Sequence, residues 1–335
     1  MNKKQFWLPL LTLSLLLGAC GKNETIKEVA ASTEQSTIVH DSTKATIDSS
    51  ERESIGSEGE ESAPVNNSLT PESKARLSLK YSNLVDQETR DRVSNALKNA
   101  GLKEEKIKAF FEAVDEYNNA VGKENLVQEM TQIDKAFPTL DTDKLVDAWL
   151  DKGGFVGRNC RITTYSLMDD FITIGNQAPG DTTMLFSDFN AISTKSIFTG
   201  EDKKKFDTLF SFIDVTNTHD TKVLAEEIQK SWKEKEVSFH NDKMHMISVF
   251  MTMDDGMNKV QEFVGHVGVL VQDGDKYLFI EKLAFELPYQ VEEFSNLQEL
   301  NDYLMGYYDK DADGLTAKPL IFFDGEVMKG YRVLD

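Results

Sequence analysis

Three residues of this chain, Cys160, His266 and Glu281, are of the types that carry out nucleophilic acyl transfer, and their order along the chain suits that chemistry. A cysteine attacks a carbonyl carbon as its thiolate, a histidine takes up and returns the proton, and a carboxylate orients the histidine. Cys160 is one of only two cysteines in 335 residues. The sequence therefore raises the question of whether this thiol does chemistry.

Cys160 follows a loop with glycines at positions 153, 154 and 157. The residues after it, among them Ile162, Tyr165 and Met168, have the spacing of a helix with one apolar side. We therefore expect Cys160 at or near the start of a helix. The partial positive charge at a helix N-terminus lowers the pKa of a thiol there, and backbone N–H groups at that end can stabilise an oxyanion.

Of the five histidines, we select His266 as the candidate general base. It follows Gly265 and opens the apolar run HVGVLVQ, which predicts a strand with the histidine ring at its rim. The other four lie in a polar N-terminal segment, at a predicted helix cap or around a short turn: His40, His219, His240 and His245.

Glu281 is an acidic residue within the apolar run YLFIEKLAF, which follows a tight Asp273-Gly274-Asp275 turn. The two runs and their turn predict a β-hairpin. If the turn is centred on Gly274, the residues opposite His266 fall near positions 281 to 283, so Glu281 can lie beside His266. That requires both side chains to be on one face of the sheet, and the sequence does not fix this parity.

Each of these residues also has a purely structural interpretation. A lone cysteine is often a buried apolar residue, a sheet-edge histidine is often simply hydrogen-bonded, and Glu281 can pair with a lysine. The sequence therefore predicts a Cys-His-Glu set and leaves open whether it is catalytic.

The N-terminus predicts export. Lys3 and Lys4 precede an apolar run that is too short for a stable membrane span and ends in Leu17-Gly18-Ala19-Cys20. That ending resembles a bacterial lipobox. The resemblance implies a signal peptide over residues 1–20, lipid on the sulfur of Cys20 and a place on the outer face of the bacterial cell membrane. The alternative is an ordinary secretory signal with a chance cysteine. A lipidated Cys20 would leave Cys160 without a disulfide partner in the chain.

Residues 21–70 predict a disordered acidic tether. Between positions 31 and 60, Ser, Thr, Asp and Glu occupy 18 of 30 positions, which leaves too little apolar surface to offset the entropy of ordering. The net charge of the whole chain is −20. A surface of that sign repels nucleic acid, so we expect no nucleic-acid partner. We expect no cofactor either, because the sequence has no phosphate-binding glycine motif, HExxH or CxxC.

The rest of the chain, residues 71–335, predicts a single α+β domain, with helices in its first half and an antiparallel sheet in its second. Helical spacing or caps predict helices at 86–100, 107–114, 126–137, 145–150, 223–232 and 296–304. Apolar runs between turn signals predict strands at 245–250, 266–272, 277–284, 320–323 and 327–333.

The order of these elements is similar to that of papain-like cysteine peptidases and amidases, above all the NlpC type, which cuts peptidoglycan peptides. The chain also resembles, over roughly residues 80 to 310, a family of Gram-positive lipoproteins whose domain has no assigned function. The matching pairs are Asn159-Cys160, Gly265-His266, Glu281-Lys282 and Pro288-Tyr289. One departure concerns the cysteine itself, because the NlpC pattern is Asp-Cys-Ser whereas this chain has Asn-Cys-Arg.

The resemblance implies a papain-like core with Cys160 as nucleophile, His266 as general base and Glu281 as orienting residue. The expected reaction is amide hydrolysis through a thioester, with cell-wall peptides as the expected substrate. The backbone N–H of Cys160 would be one oxyanion donor, and the candidates for a second are Asn159, Tyr165 and Tyr289. The alternatives are a non-catalytic lipoprotein that binds a peptide or cell-wall component with the same fold, and a structural lipoprotein.

The chain has one candidate for a metal site. Asp309, Asp311, Asp313 and Gly314 match the first half of a calcium-binding loop, but the twelfth position, which should be glutamate, is Leu320. An Asp-rich turn before a strand is the commoner explanation, so we expect no metal.

Overall fold

The computed structural model describes residues 78–257 and 259–334. The predicted signal peptide, the lipidation site Cys20 and the predicted tether lie outside these residues. Within them, no helix combines the length and apolarity needed to cross a membrane.

Most helices come before residue 235 of the described chain, and the longest strands come after it. The α-helices are α1 Gln87–Asn99, α2 Glu104–Val121, α3 Thr142–Lys152, α4 Cys160–Met168, α5 Phe186–Lys195, α6 Gly200–Phe210, α7 Thr221–Glu234 and α8 Leu297–Tyr308. The strands are β1 Leu79–Ser82, β2 Thr131–Ile133, β3 Ile172–Ile174, β4 Ile213–Val215, β5 Val237–Phe239, β6 Met244–Asp254, β7 Val260–Asp273, β8 Lys276–Lys282, β9 Tyr289–Phe294, β10 Leu320–Phe323 and β11 Glu326–Val327.

The strands form a mostly antiparallel sheet in the order β11-β10-β6-β7-β8-β9-β1-β2, with β4 also paired to β7, and a separate pair of β3 and β5. The mixed helix-and-sheet class is therefore confirmed. The predicted separation into a helical half and a sheet half is wrong in one respect. The first half supplies β1 and β2, and β1 pairs with β9, with Tyr81 opposite Glu292.

Local signals predicted several elements correctly. Helix α1 begins after Asp86, whose side chain accepts a hydrogen bond from the Thr89 N–H, and the chain leaves the helix through Gly101 at φ +88°. The predicted helices that became α2, α3, α7 and α8 are confirmed, as is the β7–β8 hairpin.

Two predicted elements are wrong. Residues 126–137 are not helical, because their backbone pairs with the segment that begins at β1. The Asn83 side chain accepts from the Val127 N–H at 2.9 Å, and the Asn83 N–H donates to the Val127 carbonyl at 2.8 Å. The predicted strand over 327–333 is reduced to β11, which ends at Val327.

Both faces of the sheet are covered, which explains why its strands read as nearly continuous apolar runs. One face packs against α4 and most of the other helices through alternating residues such as Val267, Val269 and Ile280. The other face packs against α8 through residues such as Leu270 and Phe279.

Helix α4 lies inside the molecule rather than on its surface. Every residue of α4 except Ser166 is buried, so the prediction of a helix with one apolar side is wrong. The reason is that α4 is surrounded, with β7 and β8 on one side and α2 on another. The first residue of this central helix is Cys160.

Candidate active site

Cys160 is the first residue of α4, as predicted, and its neighbour Asn159 caps the helix. The Asn159 Oδ1 accepts a hydrogen bond from the Ile162 N–H at 2.9 Å. The loop before it passes very close to another loop. At Gly157, which has φ +112°, a Cβ would lie 2.3 Å from the Phe285 carbonyl oxygen, so only glycine fits here.

A buried ion pair fixes the position of Cys160 from the other side. The Arg161 guanidinium donates to both carboxylate oxygens of Asp188 on α5, at 3.0 and 2.8 Å, and to the Val264 carbonyl on β7 at 3.2 Å. Asp188 also accepts from the Asn159 side-chain amide at 2.8 Å. Asn159 and Arg161, the two residues that depart from the NlpC pattern, therefore both bond to the Asp188 carboxylate. These bonds connect the start of α4 to α5 and β7. Sequence reasoning missed Asp188.

His266 lies in the interior of β7, and the prediction that it opens the strand is wrong. The strand begins earlier, at Val260, because β4 and β6 both pair with its first residues. His266 stands at an irregularity in the ladder. Val249 of β6 is opposite His266, whereas Phe250 is opposite Val264, so Gly265 is the extra residue of a β-bulge. Bulges bend a strand and locally redirect its side chains.

Glu281 and His266 lie on the same face of the sheet. The β7–β8 ladder pairs Val269 with Ile280, which puts Glu281 across from Gly268, two residues from His266. The Glu281 Oε2 and the His266 Nε2 form a hydrogen bond. The sequence did not fix which face each side chain occupies, and the structure places both on the same face. Because Nε2 of His266 is hydrogen-bonded to Glu281, Nδ1 is the ring nitrogen that can bond to the Cys160 thiol.

The other oxygen of Glu281 has two further donors that sequence reasoning missed. The Gln290 Nε2 on β9 donates to Glu281 Oε1 at 2.5 Å, and the Tyr303 hydroxyl on α8 donates to it at 2.8 Å. On the same side, the Tyr308 ring stacks on the His266 imidazole with centroids 4.6 Å apart and planes 18° apart. Periodicity could have flagged Gln290 and Tyr303 only as polar residues within buried elements.

The three central side chains are almost completely buried, with Cys160 5 % exposed, His266 1 % and Glu281 0 %. Burial raises the pKa of the Cys160 thiol, but the hydrogen bond and charge of His266, with the charge of Arg161, more than reverse this, so the pKa is lowered. Burial lowers the pKa of His266, yet the charge of Glu281 and hydrogen bonds with Cys160 and Glu281 raise it to about 9.

Glu281 remains charged in the same surroundings. Burial raises its pKa, and the charge and hydrogen bond of His266, with the hydrogen bonds from Tyr303 and Gln290, bring it below the ordinary carboxyl value. The arrangement thus favours a thiolate, an imidazolium and a carboxylate in a row.

A second carboxyl group, Glu292, lies two residues beyond Gln290 on β9 and is completely buried. Among the described residues, neither of its side-chain oxygens has a hydrogen-bond partner. Burial, with the nearby charge of Glu281, raises the pKa of Glu292 well above its ordinary value, so the group is held in its neutral form.

Two of the candidates for a second oxyanion donor have other roles in the structure. The Asn159 amide donates one hydrogen bond to Asp188. The Tyr165 ring is packed against Phe198 and Phe206, with centroids 5.0 and 5.6 Å away, in the helical part of the core. Tyr289 keeps its place as a candidate.

The Asp-rich segment after α8 is a polar turn. Asp309 pairs with Lys318 at 2.9 Å, and Asp311 accepts from both the backbone N–H and the hydroxyl of Thr316. In the part of the chain that the structure describes, no group of three or more His, Cys, Asp or Glu side chains could hold a metal ion. The side chains of Asp309 and Asp311 are engaged within the turn itself.

Lys282 closes the site on the side of the loop formed by residues 283–288. Its Nζ donates to the carbonyls of Ala284 at 2.7 Å, Phe285 at 3.3 Å and Leu287. The same Nζ lies over the rings of Tyr117, at 4.2 Å, and Tyr289, at 5.0 Å. Glu281 and Lys282 thus lie on opposite faces of the sheet. Glu281 is hydrogen-bonded to His266, and Lys282 is hydrogen-bonded to the loop of residues 283–288.

A family model described as a domain of unknown function, DUF4300, matches residues 80–328. The chain belongs to the DUF4300 family. The DUF4300 match includes every strand of the large sheet in whole or in part, and it contains Cys160, His266 and Glu281. Comparison with curated proteins finds no match, and comparison with solved structures finds none.

Proposed function

We propose that this DUF4300 domain is a cysteine-dependent amide hydrolase with Cys160 as nucleophile, His266 as general acid and base, and Glu281 as the residue that orients His266. One observation carries the proposal. His266 Nε2 is hydrogen-bonded to the Glu281 carboxylate, and the ring lies near enough to Cys160, the first residue of a buried helix, to lower the pKa of its thiol. The papain-like core remains part of the proposal.

The proposed first step is acylation. The Cys160 thiolate forms a C–S bond to the amide carbon, and the carbonyl π electrons move to oxygen. When the tetrahedral intermediate collapses, the C–N bond breaks and the amine leaves with a proton from the His266 imidazolium. Glu281 holds the ring through Nε2, so in the proposed reaction Nδ1 is the nitrogen that exchanges the proton with the sulfur and the leaving group.

The second step consumes water. Neutral His266 takes a proton from water, the hydroxide oxygen attacks the thioester carbon, and the C–S bond breaks to return the Cys160 thiolate and release a carboxylic acid. In both steps negative charge develops on the former carbonyl oxygen. The backbone N–H of Cys160, in the first turn of α4, suits this charge because helix-start N–H groups lack helical acceptors.

We propose in addition that the domain is held on the outer face of the cell membrane by lipid on Cys20. The support is the lipobox-like ending Leu17-Gly18-Ala19-Cys20 behind a short apolar run. Cell-wall peptides are the amides within reach of such an anchor, and they are the proposed substrates.

A second function, a non-catalytic binding lipoprotein, is favoured by one observation. The thiol is only 5 % exposed, and the loop that Lys282 holds lies against Gly157 beside it. In that case the thiol, imidazole and carboxylate would serve to hold the interior together.

The test is the pH dependence of Cys160 alkylation by iodoacetamide in the folded protein. Because the Cys160 pKa is lowered, we expect labelling to continue well below the ordinary thiol pKa of about 8.5. Mass spectrometry locates the label, and Cys160→Ser is the control for other sites of reaction. A thiol that reacts only after unfolding in denaturant would refute the enzyme proposal.

The substrate is tested separately with soluble peptidoglycan fragments. Release of new amino and carboxyl groups by the wild-type chain, and not by Cys160→Ser, would support cell-wall peptides. If fragments stay intact while Cys160 shows a low-pKa thiol that depends on His266, the substrate proposal fails and the nucleophile stands.

A further inference from the structure

Arg158, two residues before Cys160, differs from the other described arginines. Each of the others pairs with at least one carboxylate: Arg90 with Asp115, Arg92 with Asp273 and Glu293, Arg161 with Asp188, and Arg332 with Asp302. Arg158 is half-buried and, within the described residues, takes part in none of the ion pairs. The chain holds 57 acidic against 37 basic residues. In a chain with such an excess of carboxylates, an arginine that pairs with none in the described structure is unusual.

Two lysines add positive charge to the same loop. The Lys195 Nζ lies 4.9 Å from the centre of the Phe155 ring, and the Lys152 Nζ lies 4.4 Å from that of Trp149. The Trp149 indole in turn donates to the Val156 carbonyl at 3.0 Å, which fixes these rings against the loop that leads to Cys160. We call Lys152, Arg158 and Lys195 the cationic rim.

Among the described residues, the ion pairs of the cationic rim involve a single carboxylate. Its two lysines share one carboxylate oxygen of Glu116, at 2.9 and 3.1 Å. The charge of Glu286 acts on Tyr117 and Lys282 in the site wall. Three cationic side chains thus have one ion-paired carboxylate among them in the described structure, although the whole chain has a net charge of −20.

Arg158 precedes Cys160 by two residues and is therefore next to the candidate site along the chain. Burial raises the pKa of Tyr289 to about 12, and the charge of Arg158 opposes that rise. The two residues of chain from Arg158 to Cys160 span at most about 7 Å. A short substrate segment bound at the sulfur has a similar length. The N-terminus of α4 adds its own partial positive charge at the same place.

We propose that Arg158 binds a carboxylate of the substrate, so that the substrate class is an amide with a free carboxylate next to the bond that is cleaved. The proposal rests on the hydrolase function proposed above. A planar guanidinium binds a carboxylate through two parallel hydrogen bonds, which fixes both its position and its orientation. Lys152 and Lys195 act at longer range, by raising the local concentration of anions.

The test compares two alkylating reagents of nearly equal size, iodoacetate, which carries a carboxylate, and iodoacetamide, which does not. For each, the rate of Cys160 labelling is divided by the rate for a free small thiol at the same pH. We expect the iodoacetate-to-iodoacetamide ratio to fall about tenfold in Arg158→Gln, the size of one charge-assisted hydrogen bond in a partly wet site. The iodoacetamide rate should change by less than about twofold.

Two further variants separate specific binding from general charge. Arg158→Lys keeps the charge and loses the two-pronged geometry, so we expect an intermediate ratio. Lys230→Gln removes one positive charge from the exposed surface of α7, and we expect the wild-type ratio. A fall in Lys230→Gln as large as that in Arg158→Gln would mean that only net charge matters and would refute the proposal.

The remaining outcomes distinguish the two levels of inference. If Cys160 labelling by iodoacetamide depends on His266 and the reagent ratio is the same in wild type and Arg158→Gln, the hydrolase stands and the role of Arg158 is wrong. If the iodoacetate and iodoacetamide rates fall equally in Arg158→Gln, the role of Arg158 is also refuted, because the residue then changes the reactivity of the thiol and does not bind the carboxylate. If neither reagent labels the folded wild-type chain, both proposals fail.

Discussion

Two histidine–carboxylate pairs lie in the same sheet, and they differ in what surrounds them. His266 on β7 pairs with Glu281 on β8, and His245 on β6 pairs with Asp324, which follows β10, at 2.8 Å. Each imidazole has an aromatic ring against it, Tyr308 at 4.6 Å for His266 and Phe323 at 4.1 Å for His245.

The surroundings give the two pairs different properties. Both side chains of the His245 pair are 17 % exposed, so water can complete their hydrogen bonds. Asp324 also accepts from the Met246 N–H at 2.8 Å, which ties the turn after β10 to β6. The His266 pair is shut off from water, and protein groups replace it, with Gln290 and Tyr303 on the carboxylate and Cys160 at the ring.

The comparison teaches that a histidine–carboxylate hydrogen bond does not by itself make a site. In the His245 pair it joins two elements of the sheet edge. In the His266 pair the same bond keeps an imidazolium beside a thiol in a dry environment, where charge interactions are stronger. Variants matched between the two pairs test this difference.

The largest effect is expected from His266→Ala compared with His245→Ala. Without His266, burial raises the Cys160 pKa and the interactions that lower it are mostly gone. We expect iodoacetamide labelling of Cys160 at pH 6.5 to fall by at least about 100-fold in His266→Ala, the usual scale for the loss of a positioned base. His245→Ala should label at the wild-type rate. Equal falls in the two folded variants would contradict the comparison.

Glu281→Gln compared with Asp324→Asn should give the next largest effect. Glu281 raises the His266 pKa and so stabilises the imidazolium that lowers the thiol pKa. We expect the midpoint of the pH–labelling curve to move to higher pH in Glu281→Gln, with about tenfold slower labelling at pH 6.5, since one pKa unit is a factor of ten. Asp324→Asn should leave the curve unchanged and cost about 1 kcal/mol in unfolding free energy. An unshifted curve in Glu281→Gln would show that the carboxylate does not act through His266.

Tyr303→Phe should have a smaller effect of the same kind. It removes one of the two donors to Glu281 Oε1 and leaves Gln290 in place. We expect the free energy of unfolding in urea to fall by about 1 kcal/mol and labelling to slow about threefold. The control is Tyr307→Phe, a change on the same helix to a residue whose hydroxyl does not donate to Glu281 in the described structure. If both variants behave alike, Tyr303 does not position the carboxylate.

Glu292→Gln should have the smallest effect, and one that depends on pH. The folded-state pKa of Glu292 is raised, so its contribution to stability is complete at low pH and is lost as pH rises above the unfolded value of about 4.3. The glutamine variant has no such loss. We therefore expect unfolding free energies that are nearly equal at pH 4 and that favour Glu292→Gln progressively at higher pH.

The adjacent residue gives the opposite sign and serves as the control. Lys276 and Arg92 hold the pKa of Glu293 at about 2, against the effect of burial, which raises it. Its contribution is present above the unfolded value of about 4.3 and is lost as pH falls towards 2. Glu293→Gln should therefore be less stable than wild type at pH 7. Parallel pH curves for the two variants would contradict the assigned charge states.

Elements marked by residues close together in the sequence could be predicted. Asp86 and Gly101 bound α1, the Asp273-Gly274-Asp275 turn sets the β7–β8 hairpin, and the loop glycines precede the start of α4 at Cys160. Caps, turns and period depend on backbone geometry within a few residues, so one sequence carries the whole signal. The same signals selected His266 and Glu281 from their hairpin.

Residues that act across long stretches of chain could not be predicted. Asn159 and Asp188 are 29 positions apart, Glu281 and Tyr303 are 22 apart, and Arg161 and the Val264 carbonyl are 103 apart. Nothing local marks Asp188 as the carboxylate that holds the start of α4. The strand β1 was missed for the same reason, since its partner β9 is formed more than 200 residues later.

By itself, the sequence therefore determined which residue types were present and which short elements carried them. The tertiary structure decided that His266 and Glu281 share a face, because a one-residue change of register would place Glu281 on the other side of the sheet. It also decided that a β-bulge forms at Gly265, next to His266. Register and bulges follow from the packing of both sheet faces against helices, and that packing involves the whole domain at once.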